Sequence, residues 1–167
     1  MQLRVRWFRV TVCGFVLTSA CSAAGVASDG RPVVVDHVDG DTIVVRLNGH
    51  DEHMRLIGID TPETKHPTKP VECYGPEAAA FTAGLLPEGT VVRIERDVEP
   101  RDHFGRLLVY LYRAADGVFV NAELARQGLA RPLEIAPNDA HSVDLLAASR
   151  EARSARRGIW HACEPQP

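Results

Sequence analysis

The stretch from Asp39 to Glu63 constrains the fold of this chain more than any other. It holds two turn signals, Asp39-Gly40 and Asn48-Gly49, and both dipeptides accept the positive φ that tight hairpin turns demand. Ile43-Val44-Val45-Arg46-Leu47 and Met54-Arg55-Leu56-Ile57-Gly58-Ile59 follow the turns, β-branched and of strand length. With Val33 to Val38 before them, they predict a three-stranded meander. Its polar residues Asp41, Arg55, Asp60 and Glu63 fall at the ends of the strands. Three carboxylates and an arginine gathered in this way need a cation or an anionic ligand to settle their charge.

Downstream, Pro67 and Pro70 make residues 64–74 a loop, and Lys65, His66 and Lys69 make it basic. Gly75-Pro76-Glu77 opens a helix, because proline suits the first turn and glutamate complements the dipole there. Pro87-Glu88-Gly89 stops it. Thr90 to Glu95 alternates as a fourth strand, and a charged loop leads to Arg106 and a fifth strand, Leu107 to Tyr112. A short helix from Val120 to Gln127 ends at Gly128, and Leu129 to Ala136 is extended. Pro137-Asn138-Asp139 then starts a last helix that runs to about Arg157. Five short strands, with one helix between the third and the fourth, predict an α+β fold: a five-stranded OB-type barrel with three helices.

The chain has 167 residues, enough for one domain. The first 27 residues carry Arg4, Arg6 and Arg9 and no acid, then the apolar run Val10 to Leu17 and small residues to Ala24. This is the layout of a targeting segment. Ser19-Ala20-Cys21 also resembles a lipoprotein cleavage site, so soluble secretion and a lipid on Cys21, with membrane attachment, both stand. Either places the mature chain outside the cytoplasm. Residues 28–32 read as a linker, 33–160 as the folded domain and 161–167 as a tail, and a monomer is expected. Cys73 and Cys163 remain, an even count that predicts a disulfide in an oxidising compartment. Without the first 27 residues, 16 lysines and arginines face 22 acids. Any nucleic-acid contact must therefore rest on locally gathered positive charge.

The chemistry-bearing residues point one way. Asp41 and Asp60, at strand ends, can face one point, and hard cations such as Ca²⁺ take carboxylate and carbonyl oxygens. Arg55 lies in an apolar strand and Arg106 opens another, and two guanidinium forks suit the oxygens of a phosphoryl group. Glu63, just beyond Asp60, is a candidate acceptor for the proton of an attacking water. The seven histidines show no metal-binding spacing, and no nucleophile elbow or phosphate-binding glycine loop appears.

Asp39-Gly40-Asp41-Thr42, Arg55, the run Asp60 to Pro67, Tyr74-Gly75-Pro76-Glu77-Ala78, Asp102, Gly105-Arg106 and Asn121 to Ala130 together resemble the staphylococcal nuclease (thermonuclease) family. The resemblance covers about residues 33 to 160. It implies an OB barrel and Ca²⁺-dependent hydrolysis of DNA and RNA phosphodiesters to 3′-phosphate ends. It implies Ca²⁺ on Asp41, Asp60 and the Thr61 carbonyl, with catalytic roles for Arg55, Glu63 and Arg106. All five side chains are present, which favours an enzyme over a non-catalytic OB-fold nucleic-acid-binding module. The chain departs from the family where two nucleotide-binding tyrosines are expected: Arg131 to Ala136 contains none. Substrate contacts are then expected from Lys69 in the basic loop and from Phe104 beside Arg106.

Overall fold

The computed structural model describes residues 30–65, 68 and 70–163. The expected targeting segment with Cys21, and Lys69, lie outside these residues. The elements are β1 (Val33–His37), β2 (Thr42–Leu47), β3 (His50–Leu56), β4 (Gly58–Asp60), α1 (Gly75–Leu85), β5 (Val92–Glu95), β6 (Leu107–Arg113), α2 (Val120–Arg126), β7 (Arg131–Leu133), α3 (Ser142–Ser154) and α4 (Ile159–Ala162).

The meander forms as its turns dictate. Asn48 (φ 51°) and Gly49 (φ 83°) are both left-handed. They join β2 to β3 as a two-residue hairpin with Leu47 opposite His50. β6 adds to β3 in parallel, Arg55 opposite Leu108, and the five-stranded sheet has the order β1-β2-β3-β6-β5. Its ladder is open between β1 and β5, where one bridge, Val33 to Val91, crosses the gap. Ile43, Val45, Met54, Leu56, Val109 and Leu111 fill the core from the sheet, and Leu124 and Leu145 cover it from α2 and α3. The result is an α+β fold of OB type.

Three boundaries differ from the sequence reading. The third strand breaks after Leu56, because Gly58 takes φ 79° and turns the chain away to form β4, which pairs with β7. A Cβ on Gly58 would lie 2.2 Å from Leu145 Cδ1, so glycine alone fits here. The last helix starts at Ser142 rather than at Pro137, since the Asn138 side chain is engaged elsewhere. It accepts from Glu99 N at 2.8 Å and donates to Glu99 O at 3.1 Å. Arg156 (φ 52°) then breaks the helix before Arg157, and Ile159–Ala162 is a separate turn, so four helices stand where three were expected.

Fully buried Asn121 secures the strand break. Its Oδ1 accepts from Leu111 N at 3.0 Å, and its Nδ2 donates to Ile57 O at 2.9 Å. Asn121→Leu orphans both backbone groups. It is expected to lower the unfolding free energy by roughly 3 kcal/mol, since an unsatisfied buried group costs about 1–3 kcal/mol. Urea unfolding measures it, and a loss below ~1 kcal/mol would show that the backbone finds other partners.

Candidate active site

Five elements converge on one polar cleft of about 280 Å³, lined by Asp39, Asp41, Arg55, Asp60, Thr61, Glu63, Glu72 and Arg106. Asp41 immediately precedes β2. Arg55 lies opposite Thr42 across the β2–β3 ladder. Asp60 ends β4, Glu63 follows in the loop, and Arg106 precedes β6. The parallel β3–β6 pairing brings the Arg106 end of β6 alongside Arg55.

Arg55 is buried and held on every side. Its Nε lies 3.2 Å from Asp41 Oδ1 and its Nη2 2.9 Å from Asp60 Oδ1. Its Nη1 donates to Leu56 O and, at 2.9 Å, to Ile59 O. A guanidinium has five N–H donors. One remains for a ligand. Arg106 is anchored differently. Its Nε donates to Asp102 Oδ2 at 2.7 Å, and its Nη1 makes a long contact of 3.4 Å with Thr42 Oγ1. The fork of Arg106 therefore presents most of its donors to the cleft. Burial works against ionising Asp102, yet the hydrogen bonds from Arg106 hold its carboxyl below the ordinary value.

The carboxyls differ in environment. Asp41 is buried, with Oδ2 accepting from Thr61 N (2.8 Å) and Thr61 Oγ1 (3.0 Å) and Oδ1 from Thr42 Oγ1 (3.1 Å). Burial pushes its carboxyl up, against the pull of Arg55. Burial and then the charge of Asp41 push Asp39 up to about 6. Asp60 is open to solvent over 57% of its side chain. Glu63 turns back on its own loop, and its Oε1 accepts from Thr64 N at 2.8 Å and Lys65 N at 2.7 Å. Its Oε2 makes none of the hydrogen bonds seen among the described residues.

Five carboxyls thus face two guanidiniums, a surplus of negative charge built from hard oxygen donors. That composition fits a cation such as Ca²⁺. Among the described residues no three His, Cys, Asp or Glu side chains gather closely enough to hold a metal alone. A cation here would draw on Asp41, Asp60, the Thr61 carbonyl and solvent. The Thr42 and Thr61 hydroxyls are the donors it would displace from Asp41.

The structure thus brings Asp41, Arg55, Asp60, Thr61, Glu63 and Arg106 into one cleft. Phe104 stands at its edge, 71% exposed, with the Arg106 guanidinium 5.3 Å from its ring centroid and the His103 ring tilted against it by 42° at 3.7 Å. Sequence reasoning missed Asp39, Glu72 and Asp102. Asp39 is read from the sequence as a turn residue and as part of the family motif, without a role in the site. Asp102 could have been found from its spacing, four residues before Arg106. Glu72 carries no local signal. Cys73 and Cys163 are joined by a disulfide, Cα atoms 5.9 Å apart, and it ties the chain after α4 to the loop beside Glu72.

The family model of staphylococcal nuclease homologues matches residues 53–162. The chain belongs to the staphylococcal nuclease family. It is 44% identical over 123 residues to the thermonuclease of Staphylococcus intermedius, covering 74% of this chain and 71% of that one. It is 38% identical over 127 residues to the thermonuclease of Staphylococcus hyicus, with 76% and 73% covered. Endonuclease YncB of Bacillus subtilis is 38% identical over 125 residues, 74% of this chain and 58% of its own. Within this staphylococcal nuclease fold, Arg131–Leu133 is a short strand without an aromatic residue, and Glu134 beside it is exposed.

Proposed function

We propose that this staphylococcal nuclease homologue is a calcium-dependent nuclease. It hydrolyses phosphodiesters of DNA and RNA to 3′-phosphate ends, outside the cytoplasm, either secreted or anchored through a lipid on Cys21. Its place as a hydrolase acting on ester bonds follows from its family and from relatives named thermonuclease and endonuclease. One observation carries the reading: two guanidiniums, each oriented by a carboxylate, share a cleft with Glu63 and a surplus of carboxyls. The Cys73–Cys163 bond suits an oxidising compartment.

Arg106 clamps the phosphoryl oxygens with the donors that Asp102 leaves free, and Arg55 adds its one remaining N–H. Both are held before substrate arrives, so little reorganisation accompanies charge development. Glu63 orients the attacking water through the oxygen its loop amides leave open and accepts its proton as the bond to phosphorus forms. The 5′ oxygen leaves in line, on the side opposite the water. Ca²⁺, when bound by Asp41, Asp60 and the Thr61 carbonyl, would supply Lewis-acid stabilisation of phosphoryl charge.

Supercoiled plasmid and single-stranded RNA, incubated with the protein in Ca²⁺, Mg²⁺ or chelator, test the reading. Cleavage of both is expected in Ca²⁺, little in Mg²⁺ and none in chelator. Mg²⁺ demands a tight octahedron and sheds water reluctantly, and this site offers few fixed carboxylates. Full cleavage in chelator or with Mg²⁺ alone would overturn the calcium dependence. Retardation of plasmid without cleavage would overturn the enzyme.

A further inference from the structure

A nuclease must hold a polyanion, yet the chain beyond residue 27 is acidic. Many of its arginines are neutralised in place: Arg46 by Asp51, Arg101 by Glu52, Arg113 by Asp116, Arg126 by Glu123 and Arg157 by Glu151. Arg131 and Arg153 differ. Both are exposed, and among the described residues neither meets a carboxylate. Both lie over the indole of Trp160, with guanidinium carbons 4.7 and 5.3 Å from the ring. They come from separate elements, β7 and the last turn of α3.

The platform under them is fixed. Trp160 is buried with Ala152 and Ile159, and Tyr74 and Cys163 pack against the group. The disulfide ties that same Cys163 to the active-site loop. The platform also borders the cleft. Arg131 is paired with Asp60 across the β4–β7 ladder, so their side chains leave the same face about 5 Å apart at Cβ. Asp60 nevertheless engages Arg55, and Arg131 stacks on Trp160 instead. A guanidinium lying over a ring spends none of its N–H donors on that contact, so they remain for a phosphate.

We propose that Arg131 and Arg153, carried on Trp160, form a subsite for backbone phosphate of the polynucleotide beyond the scissile bond. The proposal rests on the nuclease reading. It supplies local positive charge on the side of the cleft where the stretch from Arg131 to Ala136 offers no aromatic ring for a base.

The test compares wild type with Arg131→Gln/Arg153→Gln on two substrates, a single-stranded DNA oligonucleotide and a nucleoside aryl phosphodiester too short to leave the cleft. KM and kcat are measured from 50 to 200 mM salt. Binding of the oligonucleotide is followed in parallel by fluorescence anisotropy in Ca²⁺ with Glu63→Gln as background. Each phosphate contact on a single strand contributes a salt slope of about 0.7, so the double variant is expected to lose about 1.4. Over that fourfold salt range, wild type then loses about sevenfold more affinity than the variant. The kcat and the short-substrate kcat/KM stay unchanged, and Arg131→Lys/Arg153→Lys restores the slope. If the double variant does not fold, Arg153→Gln alone should lose about 0.7. An unchanged slope overturns the subsite. An equal loss on both substrates also overturns it and marks the arginines as packing for Trp160. If wild type cleaves neither substrate, the nuclease reading fails, while the anisotropy slope still decides the subsite.

Discussion

Glu63→Gln is expected to slow hydrolysis at least ~100-fold, the scale for losing a general base, with the thermal midpoint unmoved. The reason lies in how Glu63 is held. One carboxylate oxygen receives the amides of Thr64 and Lys65, and a glutamine carbonyl can receive them equally well. The loop keeps its shape, and only the basicity of the free oxygen goes. Arg106→Lys should reach the same scale of at least ~100-fold, as for removal of a donor to transition-state charge. An ammonium cannot bond Asp102 through a fixed fork and still present a planar edge to phosphate. Steady-state turnover on DNA, beside thermal unfolding of the same samples, separates chemistry from folding. Variants within a few-fold of wild type would remove these residues from the mechanism.

The difference between what was readable and what was not follows sequence distance. Asn48-Gly49 declared its hairpin because the turn needs only its own two residues. Arg55 declared itself as paired because an isolated guanidinium in an apolar strand is costly, and its partners Asp41 and Asp60 lie within the same meander. The break at Gly58 stayed hidden, since Ile57-Gly58-Ile59 reads as one apolar run. What stabilises the break is Asn121, 64 residues after Ile57. The start of the last helix was misread for a similar reason. Pro137 is a sound local start signal, but Asn138 is tied to Glu99, 39 residues earlier. Asp39 was readable as a turn residue and is one, with its Oδ1 accepting from Asp41 N and Thr42 N. Its second position, in the wall of the cleft, appears only when Asp41 and Glu63 close around it.

Asp41 and Asp60 are both expected to hold the cation, yet their removal should have opposite signatures. Asp41 is buried against buried Arg55, so Asp41→Ala leaves a guanidinium with its Nε unanswered inside the protein. Breaking such a pair costs about 3–5 kcal/mol. Asp39 is lifted by burial and then by the charge of Asp41, and relief of that second cause offsets part of this. A fall in Tm of roughly 10 °C is expected in chelator, since 1 kcal/mol shifts a domain of this size by about 3–4 °C. Asp60 is mostly open to water, and Arg55 keeps its two carbonyl partners without it, so Asp60→Ala should cost under ~1 kcal/mol. Calcium separates the two further. At a hundred times its Kd, a ligand adds about 2.7 kcal/mol to the folded state. Wild type should therefore gain several degrees in Ca²⁺, while Asp60→Ala should start near wild type in chelator and gain almost nothing. Differential scanning of the three proteins, with chelator and with millimolar Ca²⁺, reads both effects. A full calcium gain in Asp60→Ala would remove Asp60 from the ligand set. An Asp41→Ala protein as stable as wild type in chelator would show that Arg55 is held by its carbonyls and Asp60 alone.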